Sequence, residues 1–296
     1  MNPQPQPAAA SEPLLVRNIS DTARWIAAHR ARETRRPDAV FRDPLAEKLA
    51  GERGFQIADA MSLGKDMTWP YVARTYLIDR FVEQEFSRGA ELVVNLAAGL
   101  DTRPYRMNLP ARLRWVEVDL PEILQFKEDV LRDEKPACSL ERLRLDLSDG
   151  PQRRKLFGDL GRQAQQALII SEGLLVYLTS DEVTALACDL AVQSSFQRWI
   201  VDLASPGLLA MLQKQIGAKL TGSGASLKFA PVQGPFFFKD CGWAPADVQS
   251  VLKTARRLRR LPFLMSLLAL LPESSGAQGS RPWSGICLLA NRRATQ

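Results

Sequence analysis

Histidine is almost absent from this chain: His29 is the only one in 296 residues. That excludes metal sites built on histidine clusters and leaves His29 as the one imidazole for any Ser-His-Asp relay. Cysteine is nearly as scarce. Cys138, Cys188, Cys241 and Cys287 are widely spaced and form no C-x-x-C pair, so buried reduced thiols are expected rather than disulfides or structural zinc. No apolar run reaches the length of a membrane span, and the most apolar segment, Leu261 to Leu271, is short and contains Pro262. The N-terminus, Met1 to Pro13, is rich in Pro, Gln and Ala and lacks the basic-then-apolar layout of a signal peptide, so residues 1–17 are expected to form a disordered tail. A cytoplasmic location with no membrane partner follows as the default. The dinucleotide fingerprint G-x-G-x-x-G is also missing.

What the chain does have is apolar content and arginine. At 46% hydrophobic it can bury one large core or two modest ones. The net charge of +6 comes largely from arginine clusters at Arg30 to Arg36, Arg256 to Arg260 and Arg292-Arg293. Such clusters can meet phosphate. They are separated in sequence and lack interleaved aromatics for base stacking, so solvated helix faces are the preferred reading and nucleic acid the alternative partner.

One stretch organises the rest, Glu91-Leu-Val-Val-Asn-Leu-Ala-Ala-Gly-Leu-Asp-Thr-Arg103. Its first half is the apolar run of a strand buried on both faces of a parallel sheet. Its second half turns small and polar. Ala97, Ala98 and Gly99 allow close approach of a ligand to the backbone, and Gly99 tolerates a positive φ. In a doubly wound fold, the carboxyl end of the first strand is where a nucleotide-like ligand sits.

Before this stretch, helices are expected from Asn18–Asp21 to Arg35, over Pro44 to Ala50, and from Pro70 to Arg88. Arg74 on the third either faces the cradle or lies on the surface. After it, strands are expected at Arg114–Leu120, Leu143–Leu147, Ala167–Glu172 and Trp199–Ala204, with helices at Glu122–Arg132, Pro151–Ala164 and Asp181–Val192. The alternation argues for parallel βαβ units. Pro206 to Phe238 breaks the rhythm with a helix over Leu208–Leu220, a Gly/Ser-rich piece over Thr221–Ser226, and Phe236-Phe237-Phe238. It reads either as an insertion bordering a substrate pocket or as a core-covering subdomain. A helix over Ala244–Leu258 and a final strand over Trp283–Asn291, antiparallel to a neighbour, complete the expectation.

Acids recur where strands end: Asp101, Asp119, Asp146 and Glu172. An acid after the second strand matches a ribose diol. One after the third lies where an adenine amino group falls, with Leu147 able to pack on the ring, and Glu172 points back toward the reacting end. A negatively lined crevice suits a cationic ligand carrying a ribose and an adenine. S-adenosyl-L-methionine fits better than NAD, whose pyrophosphate prefers a glycine-rich helix N-terminus. An NAD-binding oxidoreductase stays as an alternative, although no tyrosine here is followed by the lysine of a Tyr-x-x-x-Lys motif.

Several blocks together resemble the leucine carboxyl methyltransferase family, in its bacterial branch of S-adenosylmethionine-dependent methyltransferases, which is similar to polyketide O-methyltransferases. They are Asp21-Thr-Ala-Arg-Trp25, Phe41-Arg-Asp-Pro-Leu-Ala46, Arg74, Asn95-Leu-Ala-Ala-Gly-Leu-Asp-Thr-Arg103, Glu117-Val-Asp119, Asp146-Leu147 and Ser171-Glu-Gly-Leu-Leu-Val-Tyr-Leu178. The resemblance runs from about residue 18 to 205 and weakens beyond. It implies an α/β fold, the class I methyltransferase Rossmann-like seven-stranded sheet with an N-terminal helical lid and an insertion before the C-terminal strands. Residues 18–296 would be a single methyltransferase domain, with the lid over 18–90, the cofactor core over 91–204 and the substrate side over 205–296. It also implies that Arg74 pairs the methionine carboxylate, Ala98, Gly99 and Asp101 line the cradle, Asp119 holds the ribose, Asp146 and Leu147 the adenine, and Glu172 the methionine end. The expected acceptor is a small molecule bearing a carboxyl or hydroxyl group. Tyr177 is the candidate to touch it, or else a core or rim tyrosine. His29 acts as a base only if its helix folds over the pocket, and otherwise is a surface histidine.

Overall fold

Strands β1 (Leu92–Leu96), β2 (Arg114–Asp119), β3 (Ser139–Arg144), β4 (Ala167–Ser171), β5 (Phe196–Ala204), β6 (Trp243–Ser250) and β7 (Ser284–Asn291) form one sheet in the order β3-β2-β1-β4-β5-β7-β6. The structure is a computed structural model that describes residues 16, 19–61, 67–220, 225–272 and 279–295. β1 to β5 are parallel, and β7 runs antiparallel between β5 and β6. The direction of winding reverses between β1 and β4, where an open α/β sheet leaves a crevice at its carboxyl edge.

The helices are α1 (Ile19–Thr34), α2 (Ala46–Met61), α3 (Trp69–Ser87), α4 (Arg103–Arg106), α5 (Pro121–Val130), α6 (Gly150–Gly161), α7 (Ser180–Ala191), α8 (Pro206–Leu220), α9 (Val251–Arg257) and α10 (Phe263–Leu268). β1 and β4 are buried at every position, as their unbroken apolar runs require. Their side chains divide by the period of two. Leu92, Val94, Leu96 and Ile169 join Phe157, Leu186 and Leu190 of α6 and α7 on one face, while Val93, Leu168 and Ile170 meet Leu77, Ile78 and Phe81 of α3 on the other. A third cluster gathers α1 and α2 with Leu100, Ile123 and Ile216 over the carboxyl edge.

Three local expectations need correction. β3 lies over Ser139–Arg144 rather than Leu143–Leu147, because it is an edge strand whose charged residues Glu141, Arg142 and Arg144 pair with β2 up to Asp119↔Arg144. The alternating leucines 143, 145 and 147 pack inward from the strand's end and the turn after it. Residues 243–250 are the strand β6, not the start of a helix. Pro245 is tolerated there because β6 is an edge and its register shifts between Pro245 and Asp247. α2 continues to Met61 beyond a break at Gly51, whose φ of 57° turns the chain without ending it. Phe236 to Phe238, given no element above, lie in a 3-10 helix over Gly234–Cys241.

The expected tail over 1–17 lies outside the described residues except for Val16, which is fully buried in the α1–α2 cluster. Thr221 to Gly224 are likewise outside them. Cys188 and Cys241 are joined as a disulfide against the expectation of reduced thiols, because α7 and the Gly234–Cys241 turn, 53 residues apart, bring their Cα atoms to 4.7 Å. Cys138 and Cys287 are free and buried, as expected.

The first arginine cluster is paired with acids; Arg30 is buried, whereas Arg35 and Arg36 stay on the solvated face as expected. Arg30 pairs with Asp43 at 2.8 Å, Arg32 with Asp59 at 2.6 Å, Arg35 with Glu47 at 2.6 Å and Arg36 with Asp38 at 3.0 Å. No described helix is long and apolar enough to cross a membrane.

Candidate active site

The loop leaving β1 is bent by two left-handed residues, Ala97 (φ 51°) and Gly99 (φ 48°). That conformation is strained for alanine, and such strain concentrates at functional sites. The bend aims the Gly99 N–H at the end of β2, where it donates to Asp119 Oδ2 at 2.6 Å, and Leu120 N–H donates to Oδ1 at 2.7 Å. Two backbone donors thus fix the Asp119 carboxylate, and each oxygen keeps a further lone pair for a ligand. Burial pushes this carboxyl up despite both hydrogen bonds.

Asp101 serves as a strut. Its Oδ1 accepts from Arg103 N at 2.9 Å, and Oδ2 accepts from Asn95 Nδ2 at 2.8 Å and Arg103 Nη1 at 3.0 Å. Burial favours its neutral form, but the charges of Arg103 and Lys127 prevail and hold it at about 2. Arg103 is itself buried, and donates to Asp79 Oδ1 at 2.7 Å and Glu172 Oε2 at 2.8 Å. Arg74 pairs with the other Glu172 oxygen at 2.9 Å and donates to Asp202 Oδ2 at 3.3 Å. Glu172 therefore sits between two guanidinium groups. Burial raises its pKa, and the Arg103 and Arg74 charges more than offset this, leaving it below the usual range.

Sequence reasoning misses Asp202, near the end of β5, although the strand-end rule that selects Asp119 and Glu172 extends to it. Its Oδ1 accepts from Gly173 N at 2.8 Å, which holds the glycine turn after β4. It also misses Asp79 on α3, which accepts from Arg103, and Asn95 within β1, which donates to Asp101.

Asp146 falls in the turn after β3, where its Oδ1 accepts from Ser148 N at 2.9 Å. The structure brings every residue singled out for the site, Arg74, Ala98, Gly99, Asp101, Asp119, Asp146, Leu147, Glu172 and Tyr177, into the wall of one cavity of about 1350 Å³. Arg74 thus faces the cradle.

The remaining wall of the cavity, from α1, α3, α8 and the chain after it, includes Trp25, Trp69, Tyr71, Leu212 and Phe229, and forms an apolar chamber. His29 is here, 2% exposed and stacked on Tyr71 with ring centroids 4.4 Å apart. It is no surface histidine: α1 folds over the pocket and places His29 in its wall. Its Nδ1 lies 3.2 Å from Thr68 Oγ1. Burial, reinforced by Arg32 and Arg74, holds the imidazole down at about 3, so it is neutral at pH 7. Tyr177 hydrogen-bonds the Thr22 side chain, and burial raises its phenol above the ordinary value.

Known proteins match this chain in sequence and in fold. The leucine carboxyl methyltransferase family model matches residues 23–191, more than half of the chain. A predicted S-adenosyl-L-methionine-dependent methyltransferase of Mycobacteroides abscessus is 33% identical over 193 residues, covering 60% of this chain and 63% of that one. Its counterpart in Streptomyces coelicolor is 33% identical over 216 residues, covering 70% and 75%. Among solved structures, a predicted methyltransferase from Thermobifida fusca superposes with a TM-score of 0.60 at 16% identity, covering 96% of this chain and all of that one. A DUF574 family protein from Streptomyces avermitilis gives 0.60 at 12% identity, covering 91% and 97%. The seven-stranded sheet is thus the class I methyltransferase fold, and the chain belongs to the leucine carboxyl methyltransferase family.

Proposed function

We propose that this chain is an S-adenosyl-L-methionine-dependent methyltransferase that methylates an oxygen, foremost a carboxylate, of a small apolar molecule. The cofactor supplies a methyl group already activated on a sulfonium. The residues present fit it. Asp119, fixed by two backbone donors, is ready to accept a ribose diol, and Asp146 and Leu147 stand one strand further out for the adenine. Arg74 and Glu172 offer one charge of each sign where the methionine carboxylate and ammonium belong. A pyrophosphate would meet these carboxylates rather than free helix N–H groups, which disfavours NAD.

The observation that carries the acceptor reading is the apolar chamber, walled by aromatic and aliphatic side chains with a neutral His29 in its wall. Its task is to align an acceptor oxygen and to exclude water. A carboxylate is already anionic and needs no base, whereas a hydroxyl gains from one. An imidazole held at about 3 is a poor base at neutral pH, so carboxylate is the better match.

The test is methyl transfer from methyl-labelled S-adenosylmethionine to a panel of aromatic and aliphatic carboxylic acids and phenols. Label released as methanol by mild base marks a methyl ester, and base-stable label marks an ether. Label found only on nitrogen, or on nucleic acid, would overturn the oxygen assignment.

A further inference from the structure

α10 is a short, almost wholly apolar helix that is left largely exposed. Its Met265 and Ser266, with Ala269 just beyond, turn toward the protein, and none of its own residues is buried. Phe263, Leu264, Leu267 and Leu268, with Leu270 and Leu271 after it, point outward and are 49 to 79% exposed. The spacing 264, 267, 268 places these leucines on one face of α10, and Leu270 and Leu271 extend the apolar surface just past its end. Exposed apolar surface that is contiguous, unlike scattered single residues, marks an interaction site.

The chain on either side of this face is basic. From Val251 to Pro272 the chain contains no acidic residue. Arg256 and Arg257 in the last turn of α9, Arg259 and Arg281 are all exposed, and none makes an ion pair among the described residues. Arg260 alone is committed, to Glu33 at 2.8 Å and Asp38 at 3.0 Å, which ties the α9–α10 connection to the end of α1. That link anchors the chain just before α10. The patch lies at the rim of the large cavity, since Pro262, Met265 and Pro282 line it and so does the exposed Met211 of α8.

Outward leucines and phenylalanine framed by unpaired arginines match the chemistry of an anionic lipid surface, with acyl chains for the apolar face and headgroups for the guanidiniums. A second copy of the chain fits less well. A two-fold contact through this face would bring the two sets of arginines against each other. We infer that α10 and the arginines beside it dock the mouth of the cavity onto an anionic lipid surface. An acceptor partitioned into lipid then enters the chamber past Pro262 and Met265 without crossing water. The docking does not depend on the methyl-transfer reading, and its test makes no use of turnover.

Co-sedimentation of the full chain with phosphatidylcholine vesicles, alone or with phosphatidylglycerol, tests this. Binding is expected to the mixed vesicles and not to phosphatidylcholine alone. It should weaken at least about tenfold in Arg256→Glu/Arg257→Glu, given the contribution of each basic residue near an anionic surface. It should be lost in Leu264→Glu/Leu267→Glu, whose sites are exposed, with both variants retaining the wild-type circular dichroism spectrum. No binding to mixed vesicles, or binding that survives the leucine substitutions, overturns the inference. So does concentration-dependent dimerisation by light scattering that the leucine substitutions abolish, since a second copy would then own the face.

Discussion

The Gly99 N–H donates to Asp119 Oδ2 across 2.6 Å, joining the loop after β1 to the end of β2. The contact forms only because Ala97 and Gly99 both take left-handed backbone, and it leaves Asp119 preset beside the cavity. Asp119→Ala removes the acceptor oxygens for the ribose while leaving both strands paired. Charged hydrogen bonds contribute about 1.5–3 kcal/mol each, so losing two weakens S-adenosylmethionine at least about a hundredfold. Calorimetric titration reads this directly, with NAD as the control ligand and circular dichroism to show the fold is kept. Unchanged affinity would remove Asp119 from the site.

Arg103 carries the loop in a different way. It is 2% exposed and answers three carboxylates, Asp79, Asp101 and Glu172. Arg103→Met strands these acids without their main cation. Breaking a buried ionic cluster from one side costs about 3–5 kcal/mol, which urea denaturation should report. Arg80→Ala is the contrast. Its pair with Glu83 is at the surface and contributes at most about 1 kcal/mol. Equal effects from the two would mean that the Arg103 cluster is no keystone of the fold.

Much of this arrangement is legible in the residues, for physical reasons that differ by element. β1 and β4 announce themselves because both faces are buried, and their apolar runs have no other stable use. The strand-end acids are legible because a parallel sheet puts successive carboxyl ends at one edge. β3 and β6 are not, since edge strands carry charge and proline and share no apolar signature with the centre. The position of His29 also escapes the residues. The arginine-rich face of α1 is solvated, with Arg35 and Arg36 exposed, while the opposite face of the same helix turns inward and buries the imidazole, which only the packing of α1 over the cavity reveals. The Cys188–Cys241 link depends on tertiary contact between α7 and the Gly234–Cys241 turn, which spacing does not encode.

His29 gives a pH signature with a definite sign. Its pKa falls from 6.5 to about 3 on folding, so the native state binds fewer protons than the unfolded chain between those values. The stability it contributes is complete above pH 6.5 and is lost progressively as pH falls toward 3. His29→Gln keeps a polar side chain of similar length and deletes the titration. Denaturation midpoints of the wild type should drop more steeply from pH 7 to pH 4 than those of the variant. Parallel profiles would place the protonation of His29 outside the fold's pH dependence.

Tyr177 offers the sharpest division between wall and acceptor contact. Burial keeps its phenol protonated at neutral pH, and its hydroxyl is held by Thr22 at the junction of cradle and chamber. Tyr177→Phe preserves the ring and removes only that hydroxyl. If the hydroxyl positions the acceptor oxygen, kcat/KM for the acceptor falls about tenfold, the equivalent of one net hydrogen bond, while S-adenosylmethionine affinity stays put. A loss confined to cofactor affinity would place the hydroxyl at the methionine end instead. No change in either would make Tyr177 part of the chamber wall, shaping the space without touching what reacts there.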